Sequence, residues 1–584
     1  MNPERLLALY ERVADASDAI PRLRRFVLDL AVRGKLVAQD PNDEPASELL
    51  KRIAAEKARL VEAGDIRKLK PPVSINPDEA PFDLPRAWRW VRLADILTKL
   101  TDGTHHSPPN GPEGEFLYIT AKNIKDDGVK LHNATYVSRK VHEEIYARCN
   151  PEPGDVLYIK DGATTGVVTV NNLDQPFSML SSVALLKLPP CLFNQLVAAF
   201  LRSPFFYEQM RRLMKGAAIT RVTLKRMGPA LLPLPPLAEQ RRIVAKVDEL
   251  MALLDRFEAA RTAREATRDR LTVVSLAPLT APDTTPEVFP THARFALDAL
   301  PALATRPDQI KSLRQTILNL AVRGKLVEQD PNDEPAAELL KRISVEKARL
   351  IKSGEIGKDK PLTPLGVHEM PFELPGGWNW CRLGALVLSS DAGWSPRTEN
   401  QPREGEAWGV LKVSAVSWDR FDPGANKQVL PGAEPRLQAQ VHEGDFLISR
   451  ANTAELVARA VLVTEEPLNL MMSDKIVRLR LAPAFDHSFA WLVNNYGDYA
   501  RAYYAENATG VSPSMKNVSR AAILHLPFPL PPLAEQHRIV AKVDELMALC
   551  TRLETGLNTT ETAKQRLLEA LLREALEPSL KQAA

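Results

Sequence analysis

The sequence predicts an α+β protein of two similar halves, each a mixed, largely antiparallel α/β domain carried by long helices. Three observations predict it. Leu30–Leu60 (LAVRGKLVAQDPNDEPASELLKRIAAEKARL) returns at Leu320–Leu350 with 27 of 31 residues identical. Leu234–Leu253 (LPPLAEQRRIVAKVDELMAL) returns at Leu530–Leu549 with 19 of 20 identical. Between the paired blocks the two halves barely match. A repeat near 290 residues is a duplicated domain, far too long for a solenoid unit. A constant frame that holds two divergent inserts suits the presentation of two different binding surfaces.

The first repeated block reads as a helix, a break and a second helix. Ile20, Leu23, Phe26, Val27 and Leu30 share one face and stop near Gly34, a residue suited to ending a helix. Asp40-Pro41-Asn42-Asp43 then makes a turn whose side chains can cap the next helix. That helix carries Leu49, Leu50, Ile53 and Leu60 and ends near Gly64, and Ile310–Gly354 repeats the pattern.

The second repeated block predicts one long amphipathic helix or coiled-coil seam. Ile243, Leu250, Phe257 and Leu271 lie seven or fourteen apart, with Val247, Met251 and Leu254 on the same side. Ile539, Leu546, Leu553 and Leu567, with Val543 and Leu557, repeat it. Pro235–Pro236 and Pro531–Pro532 sit where a helix tolerates proline, and Glu239 and Glu535 suit the positive N-terminus. A helix from Pro236 to Leu271 spans roughly 50 Å at about 1.5 Å per residue.

The inserts change character. Phe116–Thr120, Val156–Lys160, Gly166–Val170, Val183–Leu188, Phe446–Ser449, Ala458–Val463 and Lys475–Leu481 read as short strands between Gly, Pro, Asn and Asp turns. Gly154-Asp155-Val156-Leu157 matches Gly444-Asp445-Phe446-Leu447 at the same 290-residue offset, so the inserts share a scaffold and differ in loops. Pro71–Pro85 and Pro361–Pro375 lead into FDLPRAWRWVRL at Phe82 and FELPGGWNWCRL at Phe372. The expected divisions are a helical region at 1–70, an insert at 82–233, a long helix at 234–275 and a proline-rich linker at 276–307 (Pro278–Pro307). A repeated helical region at 308–360, a second insert at 372–527 and a long helix at 528–584 follow.

Composition narrows the function. Hydrophobic content of 45% and charged content of 26% are ordinary globular values. A net charge of +3 argues against a histone-like coat but leaves room for local basic surfaces. Cys149, Cys191, Cys381 and Cys550 are scattered without a CxxC, so neither disulfides nor structural zinc is expected, and a reducing cytoplasm fits. No signal-peptide core and no apolar run near 18 residues occur, which predicts a soluble cytoplasmic protein.

Catalytic motifs are missing too. The sequence holds no GxxxxGK(S/T) loop, GxGxxG turn, GxSxG elbow or HExxH helix. Ser107-Pro108-Pro109-Asn110 lacks the aromatic residue that stacks on a flipped base, and it reads as a loop. His105-His106 lacks convergent metal partners. The chain is expected to recognise rather than react, with no catalytic, cofactor or metal residues.

The doubled LPPLAEQ helix and the doubled RGKLV-x-QDPNDEPA block carry a specific resemblance. So do TDGTHHSPP (Thr101–Pro109), YITAKNI (Tyr118–Ile124), GDVLYIKDGATTG (Gly154–Gly166) and GDFLISRANT (Gly444–Thr453). Together they resemble the specificity subunit of type I restriction–modification enzymes over essentially the whole chain. The resemblance implies a non-catalytic subunit whose inserts are two target-recognition domains. Each would read one part of a bipartite asymmetric site in double-stranded DNA. It also implies two methyltransferase subunits bringing S-adenosylmethionine for adenine methylation, and two restriction subunits bringing ATP and Mg. No cofactor is expected on this chain.

Base-edge readout needs Arg or Lys for guanine, Asn or Gln for adenine, and hydroxyls or methyls for the rest. The candidates in the first insert are Thr104, His105, Lys122, Asn123, Lys160, Asp161, Thr164 and Thr165, with Gly162 and Gly166 allowing close approach of backbone. In the second they are Trp394, Arg397, Lys412, Ser414, Arg450, Asn452 and Thr453. Phosphate positioning falls to Arg211, Arg212, Lys215, Arg221, Lys225 and Arg226, and to Lys516 and Arg520 with Asn517 beside them.

Two long helices packed antiparallel would hold the recognition domains in inverted orientation, a spacing suited to half-sites about 34–36 Å apart. The match of the first helical block to the central one predicts neighbouring chain termini and a pseudo-twofold arrangement. Two other readings remain at this point: a coiled-coil protein adaptor without DNA specificity, and a self-sufficient restriction enzyme, disfavoured by the missing motifs. Salt-dependent, sequence-selective DNA binding separates the specificity-subunit reading from the adaptor.

Overall fold

The structure is a computed structural model that describes residues 15–66, 74–214, 220–281, 288–357, 361–417, 420–510, 512 and 515–576. Contacts divide the chain into two units: Met1–Ala263 with Glu561–Ala584, and Arg264–Thr560.

In the first unit the repeated block forms the helices Ala19–Val32 and Ala46–Glu62. Gly34 ends the first with φ +66°, and a Cβ there would collide with Pro85 and Trp88, so the position needs glycine for both reasons. The Asp40 turn closes on itself: Asp40 Oδ1 accepts from Asn42 N at 2.9 Å and from Asn42 Nδ2 at 3.0 Å. It does not cap the next helix, as its sequence suggested. The N-cap there is Pro45, and Ala46 N donates instead to Ala87 O at 2.9 Å.

The insert is closed at its ends by pairing Arg89–Arg92 with Leu231–Leu234. Inside lies a four-stranded antiparallel sheet in the order Lys99–Asp102, Val183–Lys187, Val156–Ile159, Val168–Val170. A second sheet orders Thr135–Val137, Phe116–Ile119 and Phe177–Met179, the last two parallel. Val156, Leu157, Tyr158 and Ile159 are all fully buried because both faces of their sheet are covered. Val156 and Tyr158 pack with Trp88 and Phe206, while Leu157 and Ile159 pack with Leu117 and Phe177.

The second unit repeats this topology. Its sheets order Val387–Ala392, Ile476–Leu481, Phe446–Ser449, Ala460–Leu462, and Asn426–Gln428, Gly409–Leu411, Leu470–Met471. Asn379–Arg382 pairs with Pro527–Leu530 to close the insert. Phe446 and Ile448 face one core and Leu447 the other.

The long helices run Leu237–Thr280 and Leu533–Leu576, 44 residues each. At about 1.5 Å per residue that is roughly 66 Å, longer than the apolar heptads suggested. Pro278 lies inside the first of them. The stretch expected to be a linker also carries a helix, Phe289–Leu303. Proline count pointed to a linker, but Leu276, Leu279, Ala296 and Leu303 bury one another at helical spacing. Pro290 falls in that helix's first turn, where its missing N–H costs nothing. Pro282 and Pro286 lie outside the described residues.

Within each unit the first helix of the repeated block is tied to both long helices. In the first, Arg24 donates to Asp255 at 2.6 Å and to Glu258 at 2.9 Å, while Ala19 and Phe26 pack on Leu568, Leu571 and Leu572. Ser17 N donates to Glu561 Oε1 at 2.7 Å, so the N- and C-terminal parts of the chain meet there, as the repeat predicts. In the second, Arg314 of the Pro307–Val322 helix donates to Glu554 at 2.7 Å, and Arg306 to Glu265 at 2.8 Å.

Candidate nucleic-acid interface

Each insert is fastened to its frame by the repeated AEQ triplet. Glu239 is buried and accepts from Trp88 Nε1 at 2.9 Å and Gln39 Nε2 at 2.6 Å. Gln240 Oε1 accepts from Phe193 N at 3.2 Å, and its Nε2 donates to Pro235 O at 3.0 Å. The second unit repeats both: Glu535 accepts from Trp378 at 3.0 Å and Gln329 at 3.1 Å, and Gln536 Oε1 accepts from Asp486 N at 2.9 Å. The near-identity of these blocks follows from a shared lock between helix start, insert and helical block.

Backbone pairing brings several of the candidate residues together at one edge of each insert. The strand after the Gly-Asp turn runs out at Lys160 or Arg450 into a loop. Val222 N donates to Lys160 O at 2.9 Å, and Val518 N to Arg450 O at 2.8 Å. Asp161 thereby bridges Arg221, and Asn452 lies opposite Lys516 with Ala451 opposite Asn517. Just beyond the Lys99–Asp102 and Val387–Ala392 strands, Thr104 N donates to Met179 O at 2.9 Å, and Trp394 N to Met472 O at 2.9 Å. Gly103 and Gly393 precede them, and a Cβ at either would run into those backbone carbonyls. Thr104 and Trp394 thus hold one position of a common scaffold with different chemistry.

The comparisons with known proteins bear on this doubled edge. The profile of the type I restriction modification DNA specificity domain matches residues 85–264 and 437–560. The type I restriction enzyme EcoEI specificity subunit of Escherichia coli is 36% identical over 95% of this chain and 94% of its own length. The chain belongs to the specificity subunits of type I restriction–modification enzymes. The EcoAI specificity subunit, also of Escherichia coli, is 32% identical over 95% of this chain and 94% of that one. A chain solved in a study of complex assembly and conformational transition of the type I R-M system has the same fold, with TM-score 0.50 and 20% identity. That likeness covers 86% of this chain and 100% of the other. A specificity subunit is the non-catalytic part of the restriction–modification complex.

In this specificity subunit the exposed candidates of the first insert are His105, Lys122, Thr164, Arg221 and Lys225. Others point inward. Asn123 is 3% exposed; its Oδ1 accepts from Thr120 N at 3.1 Å and its Nδ2 donates to Lys130 O at 3.0 Å. It shapes the turn, and both atoms of its amide already have partners there. Lys160 is 5% exposed and held by Asp102 at 3.4 Å and Asp161 at 3.1 Å. Thr165 Oγ1 donates to Gly162 O at 2.7 Å inside the loop, and Thr104 Oγ1 to His106 O at 3.2 Å. His105 Nε2 lies 3.2 Å from Asp102 Oδ1, which also binds Arg148.

In the second insert Arg397 and Ser414 are exposed, while Trp394, Lys412, Arg450, Thr453 and Asn517 are half-buried. Asn452 Nδ2 donates to Ser417 Oγ at 2.7 Å and its Oδ1 accepts from Thr453 N at 2.8 Å, so it too stiffens the loop. Lys516 Nζ donates to Gly510 O at 2.7 Å. Arg436 lies 4.4 Å over the Trp394 ring. Asp102, Arg148 and Arg436 went unread in the sequence. Asp102 had a signal in the glycine that follows it; Arg436 had none, because its partner is 42 residues away.

Of the phosphate candidates, Arg211 and Arg212 end the Pro204–Leu213 helix, and Arg221, Lys225 and Arg226 follow. Lys215 lies outside the described residues. Arg226 Nη1 donates to Leu213 O at 3.3 Å, and Arg520 Nη1 to Ser390 O at 3.1 Å. Among the described residues no cluster of three or more His, Cys, Asp or Glu could hold a metal, and no helix is long and apolar enough to cross a membrane.

Proposed function

We propose that residues 82–233 and 372–527 are two target-recognition domains, each reading one half of a bipartite asymmetric DNA site. The carrying observation is the doubled edge: one scaffold, two loop sets, different residues at matched positions such as Thr104 and Trp394. In the first domain His105, Lys122 and Thr164 read base edges, Arg221 holds the phosphate backbone, and Asn123, Lys160 and Thr165 fix the loops that present them. In the second, Arg397, Lys412, Ser414, Arg450 and Thr453 read base edges, and Trp394 holds Arg436 over its ring.

The repeated helical frame binds two methyltransferase subunits, which bring S-adenosylmethionine, and the assembly recruits two restriction subunits that bring ATP and Mg. The complex methylates adenines in the cytoplasm or cleaves unmodified DNA. The 1–70, 234–275, 308–360 and 528–584 segments serve as frame and partner dock.

Exchanging residues 82–233 for the corresponding domain of another family member tests the reading. Methylome sequencing should show one half of the modified motif changed and the other kept. A change in both halves, or in neither, overturns it.

A further inference from the structure

The two inserts match in fold and differ in charge. Residues 82–233 hold 19 Lys and Arg against 14 Asp and Glu; residues 372–527 hold 15 against 17. The excess in the first is not spread evenly. Much of it lies on Arg211 and Arg212 at the end of the Pro204–Leu213 helix and on Arg221, Lys225 and Arg226 at and just before the Leu224–Met227 helix.

Matched contacts allow the two segments to be compared position by position. Phe205 packs on Phe82 and Trp90 as Tyr499 packs on Phe372 and Trp380, which aligns the Pro204–Leu213 and Asp498–Asn507 helices. Arg211 and Arg212 then correspond to Ala505 and Glu506. The bonds from Val222 to Lys160 and from Val518 to Arg450 align the next stretch. There Arg221, Lys225 and Arg226 correspond to Asn517, Ala521 and Ala522. The second insert gains Lys516 and Arg520 in return, but Lys516 Nζ donates to Gly510 O at 2.7 Å and Arg520 Nη1 to Ser390 O at 3.1 Å. In the first insert Arg212, Arg221 and Lys225 are exposed and have no side-chain partner among the described residues. Arg211 has only a surface pair with Glu208 at 3.3 Å. Arg221 also bridges Asp161 by its backbone, which sets this basic strip at the border of the loop.

We infer that the two recognition domains divide their work: the first supplies most of the phosphate contacts and holds the duplex, and the second selects sequence with few such contacts. The partner is the sugar–phosphate backbone of double-stranded DNA, and the inference rests on the DNA reading proposed above. Free cations beside a reading loop neutralise phosphates and release counterions, whereas cations bonded to backbone carbonyls contribute less. A domain whose insert carries slightly more acidic than basic residues gains less from the phosphates and relies on base edges and shape.

The test is the salt dependence of DNA affinity for the chain in complex with its methyltransferase subunits. One variant carries Arg212→Gln, Arg221→Gln and Lys225→Gln; another carries Lys516→Gln and Arg520→Gln. The first should flatten the slope of log K against log salt by between about 2 and 3, given roughly 0.9 per lost phosphate contact. Its ratio of cognate to non-cognate affinity should stay unchanged. The second variant should flatten the slope by less than about 1 on the same scale. Equal flattening in both, or none in the first while the wild type binds its site selectively, overturns the division of work alone. A wild-type complex without salt-dependent, selective binding overturns the DNA reading and this inference with it.

Discussion

Trp88 Nε1 donates to the buried carboxylate of Glu239 at 2.9 Å, and Trp378 makes the same bond to Glu535 at 3.0 Å. Each bond joins the residue just before the first strand of an insert to the start of a long helix. Burial pushes both carboxyls above their ordinary value of 4.5, against the hydrogen bonds from tryptophan and glutamine that pull them down. Glu239→Ala removes the acceptor and leaves the indole N–H buried and unpaired, so it should cost about 1–3 kcal/mol in unfolding free energy. Denaturant titration of the purified chain checks this; an unchanged midpoint would remove the lock from the account of the frame.

The same carboxyl predicts a pH dependence. Its folded-state value is raised, so its favourable contribution is complete below 4.5 and is lost as pH rises through the higher folded value. Glu239→Gln carries no charge to desolvate, and Gln39 can turn its amide to face it. The variant should therefore gain on the wild type as pH climbs from about 4.5 toward neutrality. Parallel melts across that range would show the two curves converging or crossing; a gap that widens in favour of the wild type contradicts the assignment of burial as the leading cause.

Gly103 and Gly393 make a prediction about the loops. Each lies where a Cβ would meet the carbonyls of Met179 or Met472, rigid backbone that cannot step aside. Gly103→Ala should separate the Lys99–Asp102 strand from Phe177–Met179 and displace Thr104 and His105 beyond it. Selectivity for one half-site should fall while the other half is still recognised, and Gly393→Ala should do the reverse. Binding measured on DNA mutated in one half at a time distinguishes the two.

Asn123 and Lys122 are neighbours with opposite expectations. Asn123→Ala leaves Thr120 N and Lys130 O without their partner and should cost about 1–3 kcal/mol of stability. Lys122→Ala should leave melting unchanged and weaken discrimination at a single base by about 1–3 kcal/mol if it reads one. A competition assay over single-base variants of the site, alongside thermal melts, reports both.

That pair also shows where sequence reasoning reached and where it stopped. The heptads of Ile243–Leu271 and the buried run Val156–Ile159 are legible because helical and strand periods are local properties. The long helices nevertheless outrun their heptads, and Phe289–Leu303 is helical within a stretch that its prolines made look like a linker. Which polar loop residue faces outward is not local. Lys160 and Lys122 both lie near strand ends, yet Lys160 is buried because Asp102, 58 residues earlier, folds against it. Asn123 is buried because Lys130 O comes back to meet it. Such pairings are made by the sheet, and only the folded chain displays them.

The last prediction concerns the faces that agree rather than those that differ. On the Ala46–Glu62 helix, Lys51 pairs with Glu48 at 2.8 Å and Arg59 with Glu56 at 2.7 Å. On Ala336–Ser353, Lys341 pairs with Glu338 at 2.7 Å and Arg349 with Glu346 at 2.8 Å. Exposed pairs of this kind contribute little, so stability alone does not require the two helices to match. The inserts have diverged while these faces have kept the same charges in the same places. Two equal surfaces suit two copies of one partner, and native mass measurement should find two methyltransferase subunits per chain. Reversing Lys51 and Arg59 to Glu should leave a complex with one copy, and reversing Lys341 and Arg349 should do the same. A one-to-one complex of the wild type at saturating partner would sink the idea that the repeated faces are docks.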